Sequence, residues 1–205
     1  MTPHELVVAL RRGEVIDFDN RDALAIGDLF HGYLLANGSL GLVFDAFVER
    51  LPGPGGASGF IKAYLLRADA ASLVFDELSA LLDGPFKELP PQVTSLTGAG
   101  FPVAAIEVIR QGRPALLFFE PTPHCLAMTW AGFVLGVAAV DPTLGERQRL
   151  EALAFDRWAR RYYKTPDIHW CKALRIFGGP GTDGLTAFVS LWMEFQAELP
   201  AEGVS

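Results

Sequence analysis

"PTPHCLAMTWAGFVLGVAAV", residues 121–140, carries no formal charge, and its reading decides the fold. Two prolines and a histidine open it and leave 16 residues from Cys125 to Val140. That is short for a bilayer crossing, which needs about 20. No Lys or Arg cluster flanks it, as membrane orientation signals would require. The stretch is therefore expected inside a globular core as buried strands. It is long enough for two strands bent near Ala131-Gly132, or for one strand with a bulge.

On that reading its neighbours become sheet as well. Residues 103–109 and 115–119 are β-like apolar runs, and "RQGRP" (110–114) is a hairpin candidate between them. Downstream, Asp141-Pro142 starts a helix that runs to about Tyr163. Leu150, Leu153, Ala154, Trp158 and Tyr162 are expected along one of its faces. Arg147, Arg157, Arg160, Arg161 and Lys164 sit largely around the other. A strand over 168–177, a glycine loop and a last helix over 185–199 complete the order.

The first 84 residues read as helical. Thr2-Pro3-His4-Glu5 is a helix start, with Thr2 as N-cap, Pro3 in the first position and Glu5 completing a capping box. That helix stops at Gly13. Leu24, Leu29, Tyr33 and Leu34 recur at helical spacing until "ANGS" (36–39) ends or kinks the run. Leu40, Val43, Phe44, Phe47 and Leu51 mark a third helix. "PGPGGASG" (52–59) is the clearest loop, and a helical stretch from Phe60 is stopped by "DGP" (83–85). The predicted fold is α+β: a helical unit over 1–84, a connector over 85–102, and an α+β unit over 103–205. The second unit holds a mainly antiparallel sheet with two C-terminal helices, and the two units share one core.

Composition narrows the function. Half of the 205 residues are apolar, enough for a full core without metal or disulfide support. Cys125 and Cys171 alone do not make a secreted disulfide framework. "MTPHELVVALRRGE" puts its only basic pair after a very short apolar run, unlike a signal sequence, so the cytoplasm is the expected compartment. The net charge is −7, with 13 acids against 7 bases in residues 1–100 and 11 against 10 in 101–205. Such a balance does not suit direct nucleic-acid binding, and it suits a basic protein partner.

"RIFGGPGTDGLTAF" (175–188) spells G-x-G-x-x-G through Gly179, Gly181 and Gly184. A dinucleotide fingerprint needs a second parallel strand after the helix, and a helix ending near residue 199 leaves no room for one. Asp183 would also repel a pyrophosphate at the helix N-terminus. The glycines are expected to turn a strand-to-helix corner, with Thr182 or Asp183 as cap, and no cofactor is expected.

Two His–Cys neighbourhoods remain. His124 and Cys125 are adjacent and would face opposite sides of a strand, whereas His169 and Cys171 would share a face. A thiol–imidazole couple is what a cysteine nucleophile requires. Neither the C-x₂-C nor the H-x₃-H spacing of familiar zinc sites is present, so no metal is expected. Glu107 and Glu120 could act as acid and base if they met in a cleft, but Glu107 reads more simply as the solvent face of a strand. Arg157, Arg160, Arg161 and Lys164, with Tyr162 and Tyr163, form a basic-aromatic cluster. It could grip a phosphate or an acidic partner, or be the polar side of an amphipathic helix.

"YLLANGSLGLVFDAFVERLPG" (33–53) and "FIKAYLLRADAASLVFDELSALL" (60–82) resemble the small helical domain of a family of bacterial DNA-mimic proteins. Asn37, Gly38 and Phe44 match its "NGGF-x-Q-F-F" pattern, with Leu40 in place of a Phe. "LLRADAASLV" is similar to its later Leu–small–Ala run. Ser39 stands where the second Gly belongs, Leu42-Val43 does not reproduce the Gln-Phe pair, and the Asn that follows is missing. The resemblance covers residues 21–84 at most. It implies an acidic helical module that binds a protein, sometimes in place of DNA.

The expectation is thus an acidic cytoplasmic protein-binding module, in its concrete version an inhibitor or immunity-type protein for a basic enzyme or toxin. Asp17, Asp19, Asp22, Asp28, Asp45 and Glu49 are the candidate contacts. The alternatives are a small enzyme using His169 and Cys171, with His124, and a structural or assembly subunit, for which homo-oligomers are possible.

Overall fold

Every chain segment described in the computed structural model that has regular structure is helical. It describes residues 1–15, 23–36, 76, 79, 83, 100–114, 117, 121–178 and 182–199. Their seven helices are α1 (Pro3–Arg12), α2 (Ala23–Ala36), α3 (Phe101–Arg110), α4 (Pro123–Val140), α5 (Pro142–Tyr162), α6 (Trp170–Phe177) and α7 (Thr182–Glu198). The described part is 82% helical and contains no strand, so the expected α+β fold with an antiparallel sheet is wrong.

The cause of the error is specific. The runs at 103–109 and 126–140 are helix, and so is most of 168–177. Twelve residues of α4 are buried, among them Cys125, Met128, Trp130 and Gly136, and the half-buried remainder apart from His124 is apolar: Ala131, Leu135, Ala138, Ala139 and Val140. With apolar residues on its half-buried face as well, α4 has no polar stripe, so its apolar run cannot be told from buried strand by periodicity. The start signals were nevertheless present. Pro123 follows the N-cap Thr122, whose hydroxyl accepts the Cys125 N–H at 3.2 Å, and Pro102 lies in the first turn of α3. "RQGRP" joins helix to helix: Gln111 ends α3, and Gly112 takes a left-handed φ of 68°. The region 115–119 lies outside the described residues except for Leu117, which is in a turn.

Starts and stops set by local chemistry came out as expected. Thr2 and Glu5 form the capping box of α1, and Gly13 closes it in the left-handed region at φ 72°. Asp141 caps α5 by accepting the Leu144 N–H at 3.0 Å, while the expected stop of α2 at 37–39 lies outside the described residues. The third helix, the loop at 52–59 and most of 60–82 lie outside the described residues. Asp76, Ser79 and Asp83 are helical. α1 reaches that segment through an Arg11–Asp76 ion pair and through His4, whose Nε2 is 3.0 Å from Asp83.

Two packing regimes build the interior. α2 and α4 meet backbone to backbone, because Gly32 faces the Thr129 carbonyl and Gly132 faces the Leu29 carbonyl. A methyl group at either glycine would overlap those peptide groups. Around α5 the contact is instead ring on ring. Phe155, fully buried, has ring centroids of Trp192 at 5.1 Å, Trp170 and Phe195 at 5.4 Å, and Trp130 and Phe188 at 5.8 Å. Edge-to-face pairs of this kind add to the burial of large apolar surface. The core face of α5 is rotated from the expected one. Of the five residues assigned to it only Trp158 is buried and Ala154 is half-buried, while Leu150, Leu153 and Tyr162 are exposed.

Candidate functional site

The His169–Cys171 pair forms because a helix begins there. His169 is the N-cap of α6, and its Nδ1 accepts the Cys171 N–H at 3.5 Å. The same nitrogen lies 3.2 Å from Cys171 Sγ. With Nδ1 as the acceptor, both the peptide N–H and the thiol S–H can point at it, and the ring proton sits on Nε2. The two residues therefore meet as expected, but through an N-cap and the first turn of a helix rather than through one face of a strand.

α5 supplies the third member, which sequence reasoning missed. Asp156 Oδ1 accepts the Trp170 N–H at 3.0 Å and lies 3.7 Å from His169 Nε2. Its Oδ2 accepts Arg160 Nε at 2.8 Å, and Arg160 Nη1 donates to the Pro166 carbonyl at 3.0 Å. The i,i+4 spacing of Asp156 and Arg160 was the available signal. Asp156 thus ties the start of α6 to α5 and holds the connecting turn through Arg160.

Burial and charge work against a reactive thiol in this cluster. Cys171 is 6% exposed. Burial, followed by the Asp156 charge, pushes its thiol up to about 12 against smaller opposing effects of the Lys172 and Cys171 N–H groups and of Arg175. Burial also holds His169 below the ordinary imidazole range; Asp156 opposes this, while Arg160 and His124 reinforce it. A catalytic cysteine needs a depressed pKa and access to substrate. Cys171 has neither, and the cluster serves as a helix start. His124, half-buried in the first turn of α4, is close enough to act on His169, whereas Cys125 beside it is buried in the core.

The other predicted residues scatter. Asp28 is fully buried in α2, which removes it from a partner-facing surface. Asp17, Asp19, Asp22, Asp45 and Glu49 lie outside the described residues. Glu107 is exposed on α3, where it accepts Gln111 Nε2 at 2.6 Å. The solvent-facing expectation holds for it, on a helix instead of a strand. Glu120, Gly179 and Gly181 lie outside the described residues, and Gly184 is buried in the first turn of α7. The glycine stretch follows helix α6, so it is a helix-to-helix corner and not the expected strand-to-helix one.

The open features lie at the other edge of α5. Arg157, Arg160, Arg161, Lys164 and Pro166 line a groove of about 500 Å³. A second groove of about 360 Å³ shares Arg157 and Arg161 and has Trp158 and Phe195 in its lining, with Glu198 accepting Trp158 Nε1 at 2.6 Å. No cluster of three or more His, Cys, Asp or Glu suited to a metal occurs among the described residues. One described helix, α4, is long and apolar enough to cross a membrane, and most of it is buried inside the molecule. The described fold and sites define an all-helical protein with a closed thiol–imidazole cluster and an open cationic groove. No protein-family profile, curated protein or solved structure matches the chain.

Proposed function

We propose that this chain is a non-catalytic, acidic protein-binding module of the inhibitor or immunity type, which neutralises a basic enzyme or toxin. The supporting observation is the state of Cys171. The sequence's best nucleophile is 6% exposed, and its thiol, pushed up to about 12, stays protonated at neutral pH. A thiol and an imidazole engaged at a helix start favour association over nucleophilic catalysis as the mode of action. The excess of 13 acids over 7 bases in residues 1–100 gives the sign of the partner. Asp17, Asp19, Asp22, Asp45 and Glu49 are its contacts; Asp28, being buried, is not.

The test is co-expression with the product of an adjacent gene, followed by affinity capture across a salt series. Capture should weaken steeply with salt and fail when Asp17, Asp19 and Asp22 are all replaced by Lys. Capture indifferent to both would overturn the electrostatic reading. The enzyme alternative keeps one observation in its favour, the 3.2 Å contact between His169 and Cys171. Iodoacetamide at neutral pH separates the two, because a core thiol is alkylated only after denaturation and a nucleophile is alkylated in the native protein.

A further inference from the structure

The groove over the last turns of α5 holds more positive charge than the fold requires. Arg157, Arg160 and Arg161 follow i, i+3, i+4 spacing on one face of α5, and Lys164 lies just past the helix end in the same groove lining. Residues 157–175 carry six bases against one acid in a chain of net charge −7. Of the four groove cations only Arg160 is neutralised, by Asp156 at 2.8 Å; among the described residues the other three make no ion pair. Arg157 and Arg161, one turn apart on α5, repel each other, while the carbonyl end of the helix favours cations in its last turn.

Lys164 adds an independent observation. It is the only non-glycine with positive φ among the described residues, at 55°. It occupies the left-handed position of a Schellman motif, in which Thr165 N–H bonds the Arg160 carbonyl at 2.9 Å and Lys164 N–H bonds the Arg161 carbonyl at 3.1 Å. Glycine is the usual residue there, because a Cβ is strained in that conformation. Lys164 in that conformation is part of the groove lining.

We propose that this groove binds a small phosphate-bearing ligand with about the charge of a diphosphate. Arginine forks match phosphate oxygens bidentately, and Lys164 supplies a point charge beside them. Arg160, fixed by Asp156 and the Pro166 carbonyl, is oriented before the ligand arrives. Arg157, Arg161 and Lys164 supply three cations without an ion pair among the described residues, and the Glu198 carboxylate that shares a lining with the two arginines is engaged by the Trp158 N–H. The adjoining groove, with Trp158 and Phe195 in its lining and the same two arginines in its wall, has room for an apolar or planar group attached to the phosphate. The negative charge elsewhere on the chain opposes a long polyanion such as nucleic acid. This site is separate from the acidic contacts of the proposed function and does not depend on them.

The experiment is calorimetric titration of the full chain with pyrophosphate at low ionic strength, with a hexaglutamate peptide as the comparison anion. One saturable site per chain is expected. Affinity should fall by about tenfold or more in the Arg157→Gln/Arg161→Gln double variant. In Lys164→Gly it should fall severalfold, while the melting temperature holds or rises. That single variant keeps the test decisive if the double variant fails to fold. Absence of a saturable signal, or binding indifferent to these substitutions, would overturn the proposal. Tighter binding of hexaglutamate than of pyrophosphate would overturn it too, since the groove would then be a peptide site.

Discussion

The α2–α4 seam and the aromatic cluster around Phe155 are both buried, yet they are held in opposite ways. In the seam the two backbones touch, and what matters is the absence of atoms at Gly32 and Gly132. In the cluster what matters is their presence, since four helices send rings to one point. The first arrangement fails when something is added, the second when something is removed. An added Cβ in the seam overlaps peptide groups that cannot rotate away, whereas a lost ring leaves a cavity whose walls relax in part. Gly132→Ala should therefore be the most damaging small substitution in the molecule, costing more than about 4 kcal/mol or preventing folding. Urea denaturation measures it, and an unchanged midpoint would mean that the two helices do not approach as closely as described.

Phe155→Ala tests the other regime. Removing the ring should cost about 3–5 kcal/mol, while Phe155→Leu, which refills much of the volume, should cost markedly less. No such rescue is open to Gly132, because every larger residue begins with the same Cβ. Equal losses for Phe155→Ala and Phe155→Leu would show that ring geometry outweighs volume in the cluster.

The same contrast explains what could be read from the sequence. Features set by a few neighbouring residues were legible: the Thr2–Glu5 box, the stop at Gly13, the Asp141-Pro142 start. They depend on local hydrogen bonds and on the fixed φ of proline. α4 was not legible, because its half-buried face is as apolar as its buried one and leaves no polar stripe to identify a helix. The close approach at Gly132 was misread as a strand bend for the same reason, since a glycine in an apolar run signals a tight contact in either structure. The His169–Cys171 pairing was legible as proximity but not as chemistry. Asp156, fourteen residues away, joins it only through the packing of α6 on α5. The charge of the groove was visible in the spacing of its arginines, and its openness was not, because that depends on which face of α5 the aromatic cluster takes.

Each region encloses a histidine, which offers a way to tell them apart by pH. His31 in α2 is 1% exposed, and burial lowers its pKa to about 4, whereas burial lowers that of His169 with Asp156 opposing. A folded pKa below the unfolded value of about 6.5 means that the unfolded chain binds the extra proton. The stabilising contribution is fully present above about pH 6.5 and is lost as pH falls toward 4. For His31 the loss is on the order of 3 kcal/mol. Glu151, whose carboxyl is raised by burial, acts in the opposite sense at the acid end of that window. Urea midpoints measured between pH 7.5 and 4.5 should decline, and His31→Gln should flatten most of the slope whatever it does to absolute stability. His169→Gln should flatten less, because Asp156 partly compensates its burial. The reverse order would place the titrating strain in the aromatic region and leave the glycine seam electrostatically silent.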